Sequence, residues 1–318
     1  MARRRRTGCD INGLVIVDKP SGPSSNQVLQ QVRRLFNANK AGHTGNLDPL
    51  ASGVLPICLG EATKLSGYLL DADKRYHVRC QLGILTDTGD SEGQTLARKT
   101  IPEFTSAQLT QLLDTFMGEQ WQVPPMFSAL KHQGQPLYKL ARKGVEVERK
   151  PRAVNIYSIE LLEQQSDRFE LLVSCSKGTY IRTLVEDIAV ALGTLGHVTM
   201  LRRTQAAGFS LADSVSLTAL QALAEHSNTA LMTRLIPAET ALPDWPECPL
   251  DNAQVKQLRF GQPVELQSAS ACAGVRLFDE HRQFFGLGHI SEGGVLTSIR
   301  LFAERSKQES LVAHGQSR

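Results

Sequence analysis

Two short segments hold the residues best suited to chemistry. The first runs Gly42-His43-Thr44-Gly45-Asn46-Leu47-Asp48-Pro49-Leu50-Ala51-Ser52-Gly53: one carboxylate among glycine, proline and small residues, with a histidine nearby. Gly42, Gly45 and Gly53 permit close approach of another backbone, and Pro49 biases Asp48 toward extended geometry. An anion held on a stiff loop with little bulk around it suits a group that must meet a large substrate. Taken alone, the segment reads first as a turn whose Asp bonds its own backbone. The second segment is Lys177-Gly178-Thr179-Tyr180-Ile181-Arg182-Thr183. It ends a predicted strand and opens a predicted helix, so Arg182 falls in the helix's first turn. A cation there opposes the helix dipole, a local cost that a carboxylate partner offsets. Paired with Arg182, Asp48 stays ionised and oriented at neutral pH.

The elements that must position these residues follow from apolar spacing. Ile11 to Val17 reads as a buried strand. Ser24 or Ser25 then caps a helix with Val28, Leu29, Val32, Leu35 and Phe36 on one face. Glu61 to Leu70 is helical, and Tyr76, Val78, Cys80 and Leu82 have the period of a half-buried strand. Thr105 caps a helix carrying Leu109, Leu112, Leu113 and Phe116, ended by Gly118. Val154 to Leu162 and Phe169 to Cys175 are two further strands. Ile181, Leu184, Val185, Ile188 and Leu192 mark a helix stopped by Gly193, and short helices cover Leu217 to Glu225 and Thr229 to Leu235. The proline-rich stretch Leu242 to Pro249 reads as a linker to a small all-β module with strands at Gly274 to Phe278, Gln283 to Ile290 and Leu296 to Phe302. The expected organisation is a basic tail over 1–10, a main domain over 11–241, the β module over 250–302 and a polar tail over 303–318.

Composition bounds the function classes. The chain has 318 residues, 41% hydrophobic and 21% charged, as in ordinary globular proteins. No apolar run of about 18 residues predicts a transmembrane helix. No h-region follows the basic N-terminus, so no secretory signal is expected. The six cysteines are scattered, without the spacing of a zinc site or a disulfide framework, and a cytoplasmic protein with reduced thiols is expected. Neither a Walker A motif nor G-x-G-x-x-G occurs, so no nucleotide cofactor is indicated. The net charge of +3 is unevenly spread. Arg3 to Arg6 form one basic block. Lys139, Arg142, Lys143, Arg149, Lys150 and Arg152 form another, against only Glu146 and Glu148. Such clusters fit phosphate contacts, and equally a solvated face.

The motifs Asp18-Lys19-Pro20-Ser21-Gly22, Gly42 to Gly53, Asp73-Lys74-Arg75-Tyr76, Lys177 to Arg182 and Leu201-Arg202-Arg203-Thr204 come in the order and spacing of the TruB-type tRNA pseudouridine synthases. The chain resembles that family from residue 11 to about 302. The resemblance implies an α+β catalytic domain with a mixed or antiparallel sheet and a C-terminal PUA-like β domain. It implies conversion of uridine 55 in the TΨC loop of tRNA to pseudouridine, with no cofactor, metal or membrane, by a monomer. Asn46 and Ala189 depart from the family's usual small residue and glycine.

By resemblance Asp48 is the anionic group at the ribose or the base. Arg182 is its partner, and Tyr180 sits near the base as acceptor of the C5 proton. Tyr76 stacks on the target uracil, Leu201 walls its pocket and His43 helps extrude it. Without the resemblance, Tyr76, Tyr180 and Leu201 are packing residues. Lys19 and Pro20 buttress the loop, and Lys19 is also grouped with the RNA-binding cations Arg142, Lys143, Arg149, Lys150, Arg202 and Arg203. Residues 124–152 resemble a thumb-like insertion that grips the T-arm. Two other classes use the same residues. One is a tRNA-folding helper without catalysis. The other is a carboxylate-dependent nucleoside or glycoside hydrolase, which needs a second acid. Asp87 and Asp90 are the nearest candidates for it, in a segment that reads better as a turn.

Overall fold

Tyr76, Val78, Cys80 and Leu82 form one buried face of a long strand, as their alternation predicts, and a mixed sheet is built around it. The computed structural model describes residues 8–267 and 270–303. The basic block Arg3 to Arg6 and nearly all of the polar tail lie outside them. In chain order the first elements are β1 (Gly13–Lys19), α1 (Ser25–Leu35), β2 (Ala41–His43), β3 (Ser52–Leu59), a 3₁₀ turn over Gly60–Leu65, α2 (Ser66–Asp71) and β4 (Lys74–Leu82). Then come the hairpin β5 (Ile84–Thr86) and β6 (Thr95–Arg98), α3 (Ser106–Asp114) and β7 (Gly118–Gln122). The insertion contains β8 (Lys131–His132), β9 (Gln135–Pro136) and α4 (Leu137–Ala141). The chain returns through β10 (Arg152–Gln164), β11 (Arg168–Cys175), α5 (Ile181–Ala191), β12 (Gly196–Ala206), β13 (Phe209–Ser210), β14 (Val215–Ser216), α6 (Leu217–His226) and α7 (Asn228–Met232). The C-terminal part holds β15 (Glu247–Pro249), α8 (Asn252–Arg259), β16 (Val264–Glu265), β17 (Cys272–Phe278), β18 (Phe284–Ile290) and β19 (Val295–Leu301).

The main sheet runs β14-β1-β3-β12-β4-β11-β10-β7, with β2 against β3 and β13 against β12. It is mixed: β1–β14 and β3–β12 are parallel, and the other pairs are antiparallel. One face carries α1, α3, α5 and α6 over a core of Val28, Val32, Val78, Leu109, Val173, Val185 and Ile188. Ser24 caps α1 through a reciprocal bond pair with Gln27, as its side chain predicts.

Two strands central to the sheet, β3 and β12, escaped the sequence reading. β3 is buried on both faces, so it shows no alternation, and Pro56 argues against an interior strand. The register explains the proline. β3 pairs with β12 only at Ser52 and Gly53, and with β2 only from Ile57 to Leu59. Pro56 falls in the gap between, where no neighbour needs its missing N–H. Two helices also differ from their expected extents. The predicted helix over Glu61 to Leu70 is a 3₁₀ turn followed by α2. The helix opened by Thr105 ends at Asp114, and Gly118, at φ +84°, instead starts β7.

The linker is also built into the fold. Trp245 packs edge-on against Tyr68, 5.1 Å between centroids, and lies over Gly274, where a Cβ would meet its ring at 2.4 Å. β15 joins the C-terminal sheet β15-β17-β18-β19-β16, and α8 covers part of it, so that module is not purely β. A second core lies between the two sheets: Leu14, Ile16, Val54 and Cys58 from β1 and β3 meet Leu287 and Phe302.

Candidate active site

Asp48 projects from the connection between β2 and β3, and the loop is held from three sides. Leu47 N–H donates to Ser25 Oγ at 2.7 Å, and Gly22 N–H to the Pro49 carbonyl at 2.8 Å. Lys19, with no exposed surface, donates from Nζ to the carbonyls of Ala51 (2.6 Å), Pro20 (2.9 Å) and Pro49 (3.3 Å). Beneath the loop Arg203, 1% exposed, donates from Nε to the Val54 carbonyl at 2.7 Å and from Nη2 to the Gly45 carbonyl at 3.3 Å. Gly53, at φ +103°, is obligatory: a Cβ there would lie 2.1 Å from the Arg203 carbonyl oxygen.

These bonds correct the RNA-binding set. Lys19 and Arg203 are walled off from any phosphate, because carbonyls of the active-site loop enclose them. Lys19 has the buttressing role that its motif implied. Burial lowers its ammonium pKa to about 8, against the opposing pull of Asp48. Arg202 is half-buried, paired with Asp18 at 2.7 Å and bonded to Ser52 Oγ at 3.3 Å. Arg149 spends its guanidinium on the insertion, bonding the Pro124 carbonyl (3.1 Å), the Val147 carbonyl (3.2 Å) and Glu146 (2.9 Å). Arg142, Lys143 and Lys150 are exposed on the insertion.

The expected ion pair is present. Arg182, at the second position of α5 and 5% exposed, sets Nη2 3.1 Å from Asp48 Oδ2. The same guanidinium donates to the Thr88 carbonyl (2.5 Å) and the Phe127 carbonyl (2.7 Å), and approaches Asp90 Oδ2 at 3.7 Å. Gln122 fixes the start of the helix: Tyr180 N–H donates to its Oε1 at 2.9 Å, and its Nε2 donates to the Tyr180 carbonyl at 3.4 Å. Sequence reasoning set Asp90 aside as a turn residue. The turn at Asp87 to Asp90 is there, but its Asp90 is buried and bonded by Thr88 Oγ1 at 2.6 Å. It approaches Arg182 through Nη1, where Asp48 meets Nη2, and with its own side chain buried it is not a second acid facing a substrate.

Asp48 keeps 32% of its side chain open to solvent. Burial of the rest pushes its carboxyl above the usual range; Arg182 and Lys19 pull it down and Asp90 pushes it up. The result is a carboxylate more basic than an exposed one, with Arg182 opposing its protonation, which suits a nucleophile or a base. Tyr76, on β4, is nearly buried, and burial raises its phenol pKa while neighbouring Arg203 opposes the rise. Leu201, on β12, sits across from Val78, and Arg203 pairs with Tyr76 two residues along. His43 lies on β2, and its buried Nδ1 has no hydrogen-bond partner among the described residues; burial, then Arg203, lowers its pKa, so its ring is neutral at pH 7. Asn46 is exposed, and the Ala189 methyl lies where a Cβ on Gly196 would come within 2.6 Å.

Three family models match in sequence order: TruB family pseudouridylate synthase, N-terminal domain, over residues 33–181; tRNA pseudouridylate synthase B, C-terminal domain, over 182–243; and pseudouridine synthase II TruB, C-terminal, over 246–302. A tRNA pseudouridine synthase B of Nitrosococcus oceani is 51% identical over 304 residues, which is 96% of this chain and 99% of that one. The chain belongs to the TruB family. A namesake from Yersinia pestis is 46% identical over 98% of both chains. Among solved structures, a chain of a Cbf5-Nop10-Gar1 complex superposes with a TM-score of 0.70 at 25% identity, over 92% of this chain and 85% of that one. The family's motifs therefore lie on a fold that brings Asp48 and Arg182 into contact.

Proposed function

We propose that this chain isomerises uridine 55 of the TΨC loop of tRNA to pseudouridine, with Asp48 as the reacting anion. The observation that carries the reading is the 3.1 Å Asp48–Arg182 pair, in a chain of this family. The reaction breaks the N1–C1′ bond, turns the uracil and joins C5 to C1′. The target base leaves the RNA stack first. Tyr76 then holds the base by its aromatic face and Leu201 walls it in, while neutral His43 fills the space it leaves. Attack on C1′, attack on C6 and removal of the C2′ proton all need one oxygen anion beside the nucleotide, and Asp48 supplies it. The proton that leaves C5 passes to the Tyr180 phenolic oxygen as that phenol's own O–H proton passes to N1, so the isomerisation is proton-neutral. The reading uses no metal or cofactor. It takes the C-terminal sheet as PUA-like and the protein as a cytoplasmic monomer. The test is incubation of the purified protein with an unmodified tRNA transcript, followed by chemical mapping of pseudouridine. Modification at uridine 55 alone is expected. Tighter tRNA folding without modification would favour the folding helper, and release of free uracil the hydrolase.

The insertion supplies affinity rather than rate. Replacing Arg142, Lys143 and Lys150 with Ala removes up to three cations that can neutralise phosphate. The slope of log affinity against log salt should flatten by about 0.7 to 0.9 for each phosphate that is no longer neutralised. The saturating single-turnover rate should stay nearer wild type than the affinity does. Unchanged affinity and slope would make the cluster a solvated face. Arg149→Ala instead removes bonds within the insertion and should raise its protease sensitivity.

A further inference from the structure

Tyr180 occupies the N-cap of α5 in an extended conformation, φ −96° and ψ 105°, and its side chain makes no capping bond. Ser, Thr and Asp cap a helix with their own side chains; tyrosine does not. The turn is held from outside by Gln122, 4% exposed at the end of β7. Its amide bonds the Tyr180 backbone twice, accepting from the N–H at 2.9 Å and donating to the carbonyl at 3.4 Å, as a neighbouring strand would. The carbonyl also accepts from Leu184 N–H at 3.1 Å, so among the described residues the N–H is the group that depends on Gln122. Gln122 faces Arg152 in the β7–β10 register, and the insertion leaves and rejoins the sheet through these two residues. Further along the insertion the Phe127 carbonyl accepts from Arg182 at 2.7 Å. The neck of the insertion therefore holds the start of α5 at two points, one on Tyr180 and one on Arg182.

We propose that Gln122 is a positioning residue for Tyr180: its amide fixes the backbone from which the phenol projects, and with it the direction from which the phenolic oxygen meets C5 of the uracil. The proposal rests on the reading of Tyr180 as acceptor of the C5 proton. Proton transfer needs donor and acceptor within hydrogen-bond reach, so a small swing of this backbone costs rate while the RNA stays bound. Gln122 is buried and spends its amide on the helix start, so it offers RNA no contact of its own. Its loss should therefore fall on the rate and spare affinity.

The test joins two measurements on the full chain. In protein carrying isotope-labelled tyrosine, NMR follows exchange of the Tyr180 amide proton with solvent, which reports the bond directly. The Tyr76 amide, inside the sheet on β4, reports global opening. Gln122→Met keeps the length of the side chain and removes its amide. It should speed Tyr180 exchange by about tenfold or more and leave Tyr76 unchanged. In a single turnover, with enzyme in excess over tRNA tritiated at C5 of its uridines, it should slow tritium release by about tenfold, the effect of one hydrogen bond of ordinary strength, with tRNA affinity within about twofold of wild type. Gln122→Glu, whose carboxyl still offers an oxygen to the Tyr180 N–H, should recover most of both losses. Added to Tyr180→Phe, Gln122→Met should cost little further rate, whereas general damage to the fold would slow both backgrounds alike. The proposal is overturned if Tyr180 exchange is unchanged in Gln122→Met, if that variant turns over within about twofold of wild type, or if its loss multiplies with that of Tyr180→Phe. If Tyr180→Phe releases tritium at the wild-type rate, the Tyr180 reading falls and takes this proposal with it. A slow Tyr180→Phe beside a normal Gln122→Met removes this proposal alone.

Discussion

Asp48→Asn should bind tRNA as tightly as wild type and form no detectable pseudouridine, a loss of about 10⁴-fold or more. The amide keeps the side chain's shape and removes the anion that all three routes require. The loop should hold its place, because its anchors lie elsewhere: Ser25 on Leu47, Lys19 on Ala51 and Arg203 on Val54. Arg182 keeps Thr88, Phe127 and Asp90 as partners, so the loss of one charge does not strand a buried cation. Single-turnover assay with enzyme in excess, alongside filter binding, separates the two quantities. Turnover within about a hundredfold of wild type, in a preparation free of contaminating enzyme, would remove Asp48 from the chemistry.

Arg182→Lys should cost about 10²-fold in rate and leave tRNA affinity within about threefold. One ammonium cannot span Asp48, Asp90 and the carbonyls of Thr88 and Phe127, which the planar fork meets together. The pH profile makes the cause visible. Arg182 is the strongest of the groups that pull the Asp48 pKa down against burial. Weakening the pair moves that pKa up, and activity requires the ionised form. Rate should therefore fail at higher pH than in wild type as the solution is acidified, and the deficit should narrow as pH rises. A uniform loss across the range from about pH 5 to 8 would mean that Arg182 acts without touching Asp48's ionisation.

The parts of the fold with a clear apolar period were legible in the sequence. The periods of β4, α1 and α5 each show in the spacing of their apolar residues; Thr105 caps its helix as expected, and of the two serines offered for α1 it is Ser24 that caps. β3 and β12 were not legible: β3 is buried on both sides and contains Pro56, while β12 carries Arg202 and Arg203 where a strand core would be apolar. The site was legible in its two motifs, since Asp48 and Arg182 do meet. Lys19, Arg149 and Arg203 misled for one physical reason. A Lys or Arg is buried only when oxygens are waiting for it, and those oxygens are mostly backbone carbonyls of distant residues, which have no signature in sequence. Asp90 was missed likewise: its turn chemistry is local, and its approach to Arg182 comes from the fold.

β1 and β3 form a wall with a different tenant on each side. Val15, Val17, Leu55 and Ile57 face the helices, while Leu14, Ile16, Val54 and Cys58 face the C-terminal sheet. Lys64 Nζ to the Leu301 carbonyl at 2.7 Å, and Ala303 N–H to Glu61 Oε2 at 2.9 Å, fasten the two together. β3 is also the strand that leads away from Asp48. The boundary near residue 246 is thus a seam in sequence and not in thermodynamics. Cutting there would take Leu287 and Phe302 from the core that covers the strand leading away from the reacting loop, so the C-terminal sheet is packed as part of the same body as the site.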